Sequence, residues 1–187
     1  GDGIAEVPDP SGLFLSRGAP VPGTCVTISL EGRRAMPVEV QALVNTTSAP
    51  NPRRVTNGVD SSRVAMILAI LERRAGVKVS DKDVYVSTVG GVRLIEPAAD
   101  LAIAVAVASA MHDFAVPHEV AAVGELSLAG EIRPVTMAGQ RSGEAKRLGY
   151  TTLVDADAVT LSPAINQIKA LAARAAGHAK LRDVPEF

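Results

Sequence analysis

The chain of 187 residues has few cysteine and aromatic side chains. Its single cysteine, Cys25, excludes a disulfide within the chain and lies in an apolar run that suits a β-strand. Tryptophan is absent, and three phenylalanines and two tyrosines are too few and too scattered to form a platform for base stacking. The three histidines, His112, His118 and His178, match no metal-binding spacing, so we expect no metal site.

A large net charge and a long apolar run are also missing. The formal charge is −1, which neither favours nor excludes nucleic acid, although arginine outnumbers lysine and guanidinium groups favour forked contacts to phosphate or carboxylate. The longest uncharged run, Leu101 to His112, is too short to span a bilayer. Since no secretory signal is recognisable, we expect a soluble, cytoplasmic protein with no membrane partner.

The apolar fraction of 47% is enough for one full hydrophobic core. Residues 1–22 are rich in proline and glycine, which is typical of a linker arm, so we assign the folded domain to residues 23–187. Strands alternating with helices predict an α/β domain with a mixed sheet. The predicted strands are 24–31, 37–44, 84–89, 120–128, 131–135 and 151–154, and the predicted helices are 60–75, one that begins at Pro97, 140–148 and 163–176.

Three of these assignments depend on turn residues. Gly32-Arg33-Arg34 separates the first two strands and predicts a hairpin, and Ala129-Gly130 predicts a tight turn. The proline-containing segment 46–57 is interpreted as a loop, and Gly177 as the end of the last helix.

The most informative segment is a strand, a Gly-Gly loop and an apolar helix that begins at Pro97. This arrangement is used where the N-terminus of a helix presents a reactive group. Here the helix presents Ala98, and a methyl group cannot act as a nucleophile. The position best suited to chemistry is therefore expected to be catalytically empty.

Two long motifs carry a family resemblance. The first is Gly90-Gly91-Val92-Arg93 followed by Glu96-Pro97-Ala98-Ala99-Asp100, and the second runs from Gly124 to Val135. Together they resemble the C-terminal Lon-protease-like domain of the bacterial RadA/Sms DNA repair proteins, and residues 6–15 resemble the segment that joins this domain to the ATPase core of that family. The resemblance implies the Lon-protease-like, or ribosomal protein S5 domain 2-like, fold.

The resemblance also implies a larger parent protein with a zinc finger and a RecA-like ATPase core. Such a parent is a hexameric, ATP-driven motor that loads on single-stranded DNA and promotes branch migration during recombination. ATP, magnesium and zinc are then expected in those other domains. This chain contains no Gly-x-x-x-x-Gly-Lys-Ser/Thr phosphate loop, so we expect no cofactor in it.

Active Lon proteases carry a catalytic serine at the start of this helix and a catalytic lysine further along the chain. Alignment on the two motifs places Ala98 at the serine position and Arg141 at the lysine position. Arginine stays protonated at any accessible pH and cannot be the general base of such a dyad. The resemblance therefore predicts a non-enzymatic scaffold, with two alternatives: a Ser/Lys peptidase that uses substitute residues, and a pure oligomerisation module without DNA contact.

Binding is expected to involve copies of the chain and DNA. The resemblance implies a homo-oligomeric ring, a hexamer, and the RecA recombinase is a further candidate partner. DNA contact is expected through phosphates and without sequence preference. The candidate DNA-binding residues are Arg53, Arg54, Arg63, Arg93, Arg133 and Arg141.

Carboxylates near the expected cleft are interpreted as partners of these arginines. Asp100 and Arg93 flank the start of the helix, where a structural pairing of the two and a contact with a ligand are both open interpretations. Glu96 and Glu131 are expected to form salt bridges rather than an acid/base pair.

Overall fold

The computed structural model describes residue 15 and residues 18–182. The predicted α/β class with a mixed sheet is confirmed. The predicted linker over residues 1–22 lies largely outside the described residues. The elements of the described part are β1 (Thr24–Glu31), β2 (Arg34–Thr46), β3 (Arg54–Asn57), α1 (Ser61–Ala75), β4 (Lys82–Thr88), α2 (Asp100–His112), β5 (Val120–Ala122), β6 (Glu125–Leu126), β7 (Ile132–Arg133), α3 (Ala138–Arg147), β8 (Thr152–Val154) and α4 (Leu161–Arg182).

Six of the strands form one mixed sheet in the order β3-β4-β2-β1-β5-β8. β1, β2 and β4 pair antiparallel, whereas β3, β5 and β8 each lie parallel to a neighbour. The predicted hairpin of β1 and β2 is confirmed, and its turn places Gly32 at a φ of 60°. β6 and β7 form a separate two-stranded ribbon that contains the predicted tight turn.

Helices cover both faces of this sheet. Side chains of a strand alternate between the faces, so Cys25 and Val40 point into one core while Ile28 points into another. α2 packs on β1 and β2 in the larger core, with α1 and α4 outside it, and α3 packs on β1 and β2 from the opposite side. Every residue of α2 from Asp100 to Ser109 is buried, so this helix lies at the centre of the larger core.

The ends of α1 follow the sequence signals. The Asp60 side chain accepts a hydrogen bond from the Arg63 backbone N–H, and Gly76 ends the helix in the left-handed conformation. The predicted end of the last helix was wrong, because α4 continues through Gly177 to Arg182. A single glycine weakens a helix by only about 1 kcal/mol, so flanking alanines can carry the helix through it.

Two strand assignments also needed correction. Residues 54–57 of the predicted loop form β3, which pairs in parallel with β4 at the edge of the sheet. The predicted strand 120–128 is broken, because the chain leaves the sheet after β5 at Val123 and Gly124 and starts the β6–β7 ribbon. A Cβ on Gly124 would lie 2.5 Å from Ile132 Cγ2, so this corner requires glycine.

Candidate functional site

The helix start predicted to be catalytically empty lies beside an ion pair between Arg141 of α3, which is buried, and Glu96, which is partly exposed and immediately precedes Pro97. The Arg141 guanidinium donates to the two Glu96 carboxylate oxygens at 2.6 and 2.8 Å. It also donates to the carbonyl oxygens of Ile28 and Thr136, each at 2.9 Å. The Arg141 side chain is 1% exposed, so its donors are used inside the protein rather than offered to solvent.

The pair holds Glu96 in its ionised form. Burial by itself would raise the pKa of the Glu96 carboxyl, but hydrogen bonds from Arg141 and from the Leu30 backbone N–H outweigh it and lower the pKa below its usual value. A carboxylate with these partners is a poor proton donor at neutral pH. The expectation that Glu96 forms a salt bridge is confirmed, with a partner 45 residues away. The same expectation for Glu131 was wrong, because this exposed side chain has no salt-bridge partner among the described residues.

Ala98 lies beside this pair but faces the protein interior. Its side chain packs with Ile28, Ala121, Val123 and Ala145 in the core under α3, and Ala98 is 5% exposed. A hydroxyl at this position would have to be accommodated among apolar groups. No acyl-transfer chemistry is available to the Ala98 and Arg141 side chains themselves, since one is a methyl group and the other a locked guanidinium.

A second ion pair fixes the start of α2, and it excludes the pairing of Asp100 with Arg93, which was one of two interpretations open from the sequence. Asp100, 1% exposed, receives two hydrogen bonds from the Arg63 guanidinium, one of them 2.8 Å from Nε to Oδ1. The Leu126 backbone N–H donates to the same carboxylate at 3.0 Å. The partner is therefore Arg63, because α1 packs on α2 and brings these side chains together, whereas Arg93 is exposed in the loop before α2.

The six candidate arginines therefore occupy different environments. Arg141 is covered and Arg63 is committed to Asp100, whereas Arg53, Arg93 and Arg133 are exposed. Arg54 is also exposed, but its guanidinium donates to the backbone carbonyl oxygens of Val79 and Lys82. Contact of any of these residues with DNA stays a prediction, and the burial of Arg141 argues against that residue.

Sequence reasoning missed one group of arginines. Arg33 and Arg34, in and after the β1–β2 turn, and Arg147 of α3 line a common cavity. These arginines lie outside the two family motifs. The spacing of Gln140, Glu144 and Arg147 on one face of α3 was the available signal.

Other chemistry finds little support in the described part of the chain. Burial and the nearby Glu39 carboxylate raise the pKa of the Cys25 thiol, which keeps it protonated and unreactive. Among residues 15 and 18–182, no group of three or more histidine, cysteine or acidic side chains is placed to hold a metal ion. None of the helices in this part of the molecule combines the length and the apolar character that crossing a membrane requires.

The fold and the cleft define a mixed α/β domain whose central helix starts between two arginine–carboxylate pairs. The sequence profile of a family described as subunit ChlI of Mg-chelatase matches residues 55–158, which is more than half of the chain. The chain belongs to this family.

Relatives of this chain include proteins named DNA repair protein RadA. The protein from Mycolicibacterium smegmatis is 52% identical over 164 residues, covering 87% of this chain and 35% of the relative. The proteins from Pseudomonas aeruginosa and Escherichia coli are 46% and 44% identical over 149 residues, covering 79% of this chain and 33% and 32% of the relatives. The chain thus spans about a third of the length of these relatives. They support the predicted relation to RadA, and the Lon-like character of the domain stays a prediction.

Proposed function

We propose that this chain is a proteolytically inactive, Lon-like scaffold domain of a RadA-type DNA repair and recombination protein. In this proposal it assembles into a homo-oligomeric ring, a hexamer, and supports DNA binding by an ATP-driven branch-migration motor. The motor itself, with ATP, magnesium and zinc, belongs to other parts of the parent protein. The RecA recombinase is a candidate partner of the same assembly.

The observation that carries the inactive scaffold is the Arg141–Glu96 pair. A general base must be able to lose a proton and must reach the nucleophile. Arg141 cannot lose its proton, and its guanidinium is already bonded to Glu96, Ile28 and Thr136. The pair instead ties α3 to β1 and to the start of the central helix, which suits a domain kept for its shape.

The DNA contact in this proposal depends on the exposed arginines. Among the described residues, Arg53, Arg54, Arg93 and Arg133 are the exposed members of the predicted set with no carboxylate within salt-bridge distance. The Arg54 guanidinium already donates to the backbone carbonyls of Val79 and Lys82, so Arg53, Arg93 and Arg133 are the members expected to contact phosphate. Their positions in loops and at strand ends let them follow a phosphate backbone without reading bases. In this scheme Arg63 and Arg141 form ion pairs within the domain and do not contact DNA.

Light scattering of the purified chain and a DNA titration at several salt concentrations test the scaffold and the contact together. We expect a ring-sized oligomer and an affinity that falls steeply with added salt. The triple variant Arg53→Ala/Arg93→Ala/Arg133→Ala should lower the salt dependence, while Arg174→Ala, on the exposed side of α4, should not. A hexamer that fails to bind DNA at low salt would leave a pure oligomerisation module, and a monomer would contradict the ring.

A peptidase assay tests the claim of inactivity. The chain is incubated with an unfolded protein and a panel of peptides, and we expect no cleavage above a heat-denatured control. Turnover that disappears on substitution of one particular serine would establish the enzyme alternative instead.

A further inference from the structure

The turn between β1 and β2 and one side of α3 border a surface cavity of about 480 Å³ that is open to solvent. Three arginines line it, Arg33 and Arg34 from the turn and strand β2, and Arg147 from α3. Two carboxylates, Glu31 and Glu144, complete the charged lining. This cavity, here called the turn cavity, contains none of the six arginines predicted from the sequence.

The walls of the turn cavity are held in place by contacts of α3. The Gln140 side-chain amide donates to the backbone carbonyl of Arg33, which joins the helix to the turn. One helical turn apart on the same face, Glu144 and then Arg147 follow Gln140. On the other side of the helix, the buried Arg141 ties α3 to the β1 carbonyl of Ile28. The arginines therefore project from a fixed frame.

The charge of the lining favours an anion. Three guanidinium groups face two carboxylates, and one carboxylate, Glu144, is engaged by Arg147 through bonds of 2.6 and 3.0 Å. That pairing orients the Arg147 fork rather than cancelling Arg33 and Arg34, which come from the opposite wall. Planar guanidinium forks match phosphate oxygens, and a concave site concentrates their field.

We propose that the turn cavity binds phosphate groups. Arg33 and Arg34 are the main contacts, and Arg147, oriented by Glu144, is a third contact. Its volume lies in the range of small-molecule sites and exceeds what one phosphate fills. The phosphates come either from the backbone of DNA or from a free polyphosphate such as a nucleotide. If the ligand is DNA, this inference rests on the DNA contact proposed above. If the ligand is a free polyphosphate, it does not.

Binding of DNA in the turn cavity is tested with a fluorescent single-stranded oligonucleotide, whose anisotropy is measured at several salt concentrations. For Arg33→Ala/Arg34→Ala we expect about tenfold weaker binding at low salt and a salt slope reduced by about one to two phosphate contacts. Glu31→Gln removes a repelling charge and should strengthen binding about two- to threefold. Effects of opposite sign at one cavity are hard to explain by misfolding.

Matched controls lie outside the turn cavity. Arg174→Ala and Glu119→Gln change the same charges at other exposed positions and should leave both affinity and slope as in the unmodified chain. If Arg33→Ala/Arg34→Ala binds the oligonucleotide as tightly as the unmodified chain while Arg53→Ala/Arg93→Ala/Arg133→Ala binds more weakly, the backbone source is excluded and the proposed function stands.

Binding of a free polyphosphate is tested by calorimetry, with pyrophosphate and ATP as probes and without added metal. Saturable binding that is lost in Arg33→Ala/Arg34→Ala and kept in Arg174→Ala supports a free polyphosphate as ligand, even if DNA does not bind. Competition of pyrophosphate with the oligonucleotide supports a shared site. The inference is overturned if the double variant binds both probes like the unmodified chain, or if the unmodified chain binds neither.

Discussion

Two ion pairs on helix α3 have almost the same geometry and very different surroundings. Arg141 contacts Glu96 through two hydrogen bonds of 2.6 and 2.8 Å, and Arg147 contacts Glu144 through two of 2.6 and 3.0 Å. The Arg141 side chain is 1% exposed and that of Arg147 is 63% exposed. The two carboxylates are similarly exposed, Glu96 at 23% and Glu144 at 24%, so the difference lies in the arginines. The pair with Glu96 replaces hydration that the Arg141 guanidinium has lost, whereas the pair with Glu144 competes with water around Arg147. Hydrogen-bond geometry alone therefore does not set what an ion pair contributes.

The largest expected loss of stability comes from removing the Glu96 carboxylate, the partner of the buried Arg141. Glu96→Ala leaves the Arg141 charge without a partner inside the protein and should lower the free energy of unfolding by about 3 to 5 kcal/mol. Urea unfolding followed by circular dichroism measures this loss. The double variant Glu96→Gln/Arg141→Met, which removes both charges, should recover most of it. A loss below 1 kcal/mol for Glu96→Ala would contradict the role assigned to burial.

A smaller loss of stability is expected when residue 141 keeps its positive charge but loses the forked guanidinium. Arg141→Lys cannot reach Glu96 with two donors while also serving the Ile28 and Thr136 carbonyl oxygens, so we expect a loss of about 2 kcal/mol. The same substitution in the exposed pair, Arg147→Lys, is the matched control and should change stability little. Equal effects at the two sites would mean that the network around Arg141 does not contribute.

The pH dependence of stability separates the two pairs further. The pKa of Glu96 in the folded chain lies below its ordinary value of 4.5. Its contribution to stability is therefore complete above that value and is lost as pH falls through the folded pKa. Because Glu96 is partly exposed, the effect should be smaller than that of Arg141→Lys.

Urea unfolding at a series of pH values from 7 to 3 measures this contribution. Glu96→Gln should show a shallower loss of stability with acid than the unmodified chain, and Glu144→Gln should follow the unmodified chain closely. If the two variants have the same pH profile, Glu96 is not held ionised by its partners.

The smallest effect is expected for the exposed pair. Glu144→Ala should lower stability by about 0.5 kcal/mol, and added salt should reduce the difference further because exposed charges are screened. The interaction of Glu96 with Arg141 should be much less sensitive to salt. A loss in Glu144→Ala that approaches that of Glu96→Ala would remove the distinction between the pairs.

The periodic elements of the fold could be predicted from the sequence, and the elements that depend on distant partners could not. Asp60 and Gly76 mark the ends of α1 correctly because capping is a local interaction. β3 was missed because its four residues become a strand only through pairing with β4. Gly177 was misleading, because the local cost of one glycine is small compared with the stability of a long helix.

The site shows the same division. The sequence shows that Ala98 offers no nucleophile and that Arg141 offers no neutralisable base, but it suggested Arg93, the arginine closer in sequence, as the possible partner of Asp100. The folded chain uses Arg63, 37 residues away, because α1 and α2 pack together. Arg33 and Arg147 were likewise joined in one cavity by the packing of α3 on the β1–β2 hairpin.

The sequence by itself determined which chemistry the side chains at positions 98 and 141 can perform, because a methyl group has no nucleophile and a guanidinium does not release its proton. Only the tertiary structure decided that Arg141 is enclosed with Glu96 and that Arg147 faces a cavity. The two residues belong to one short helix, and their burial depends on which side of that helix packs against the sheet.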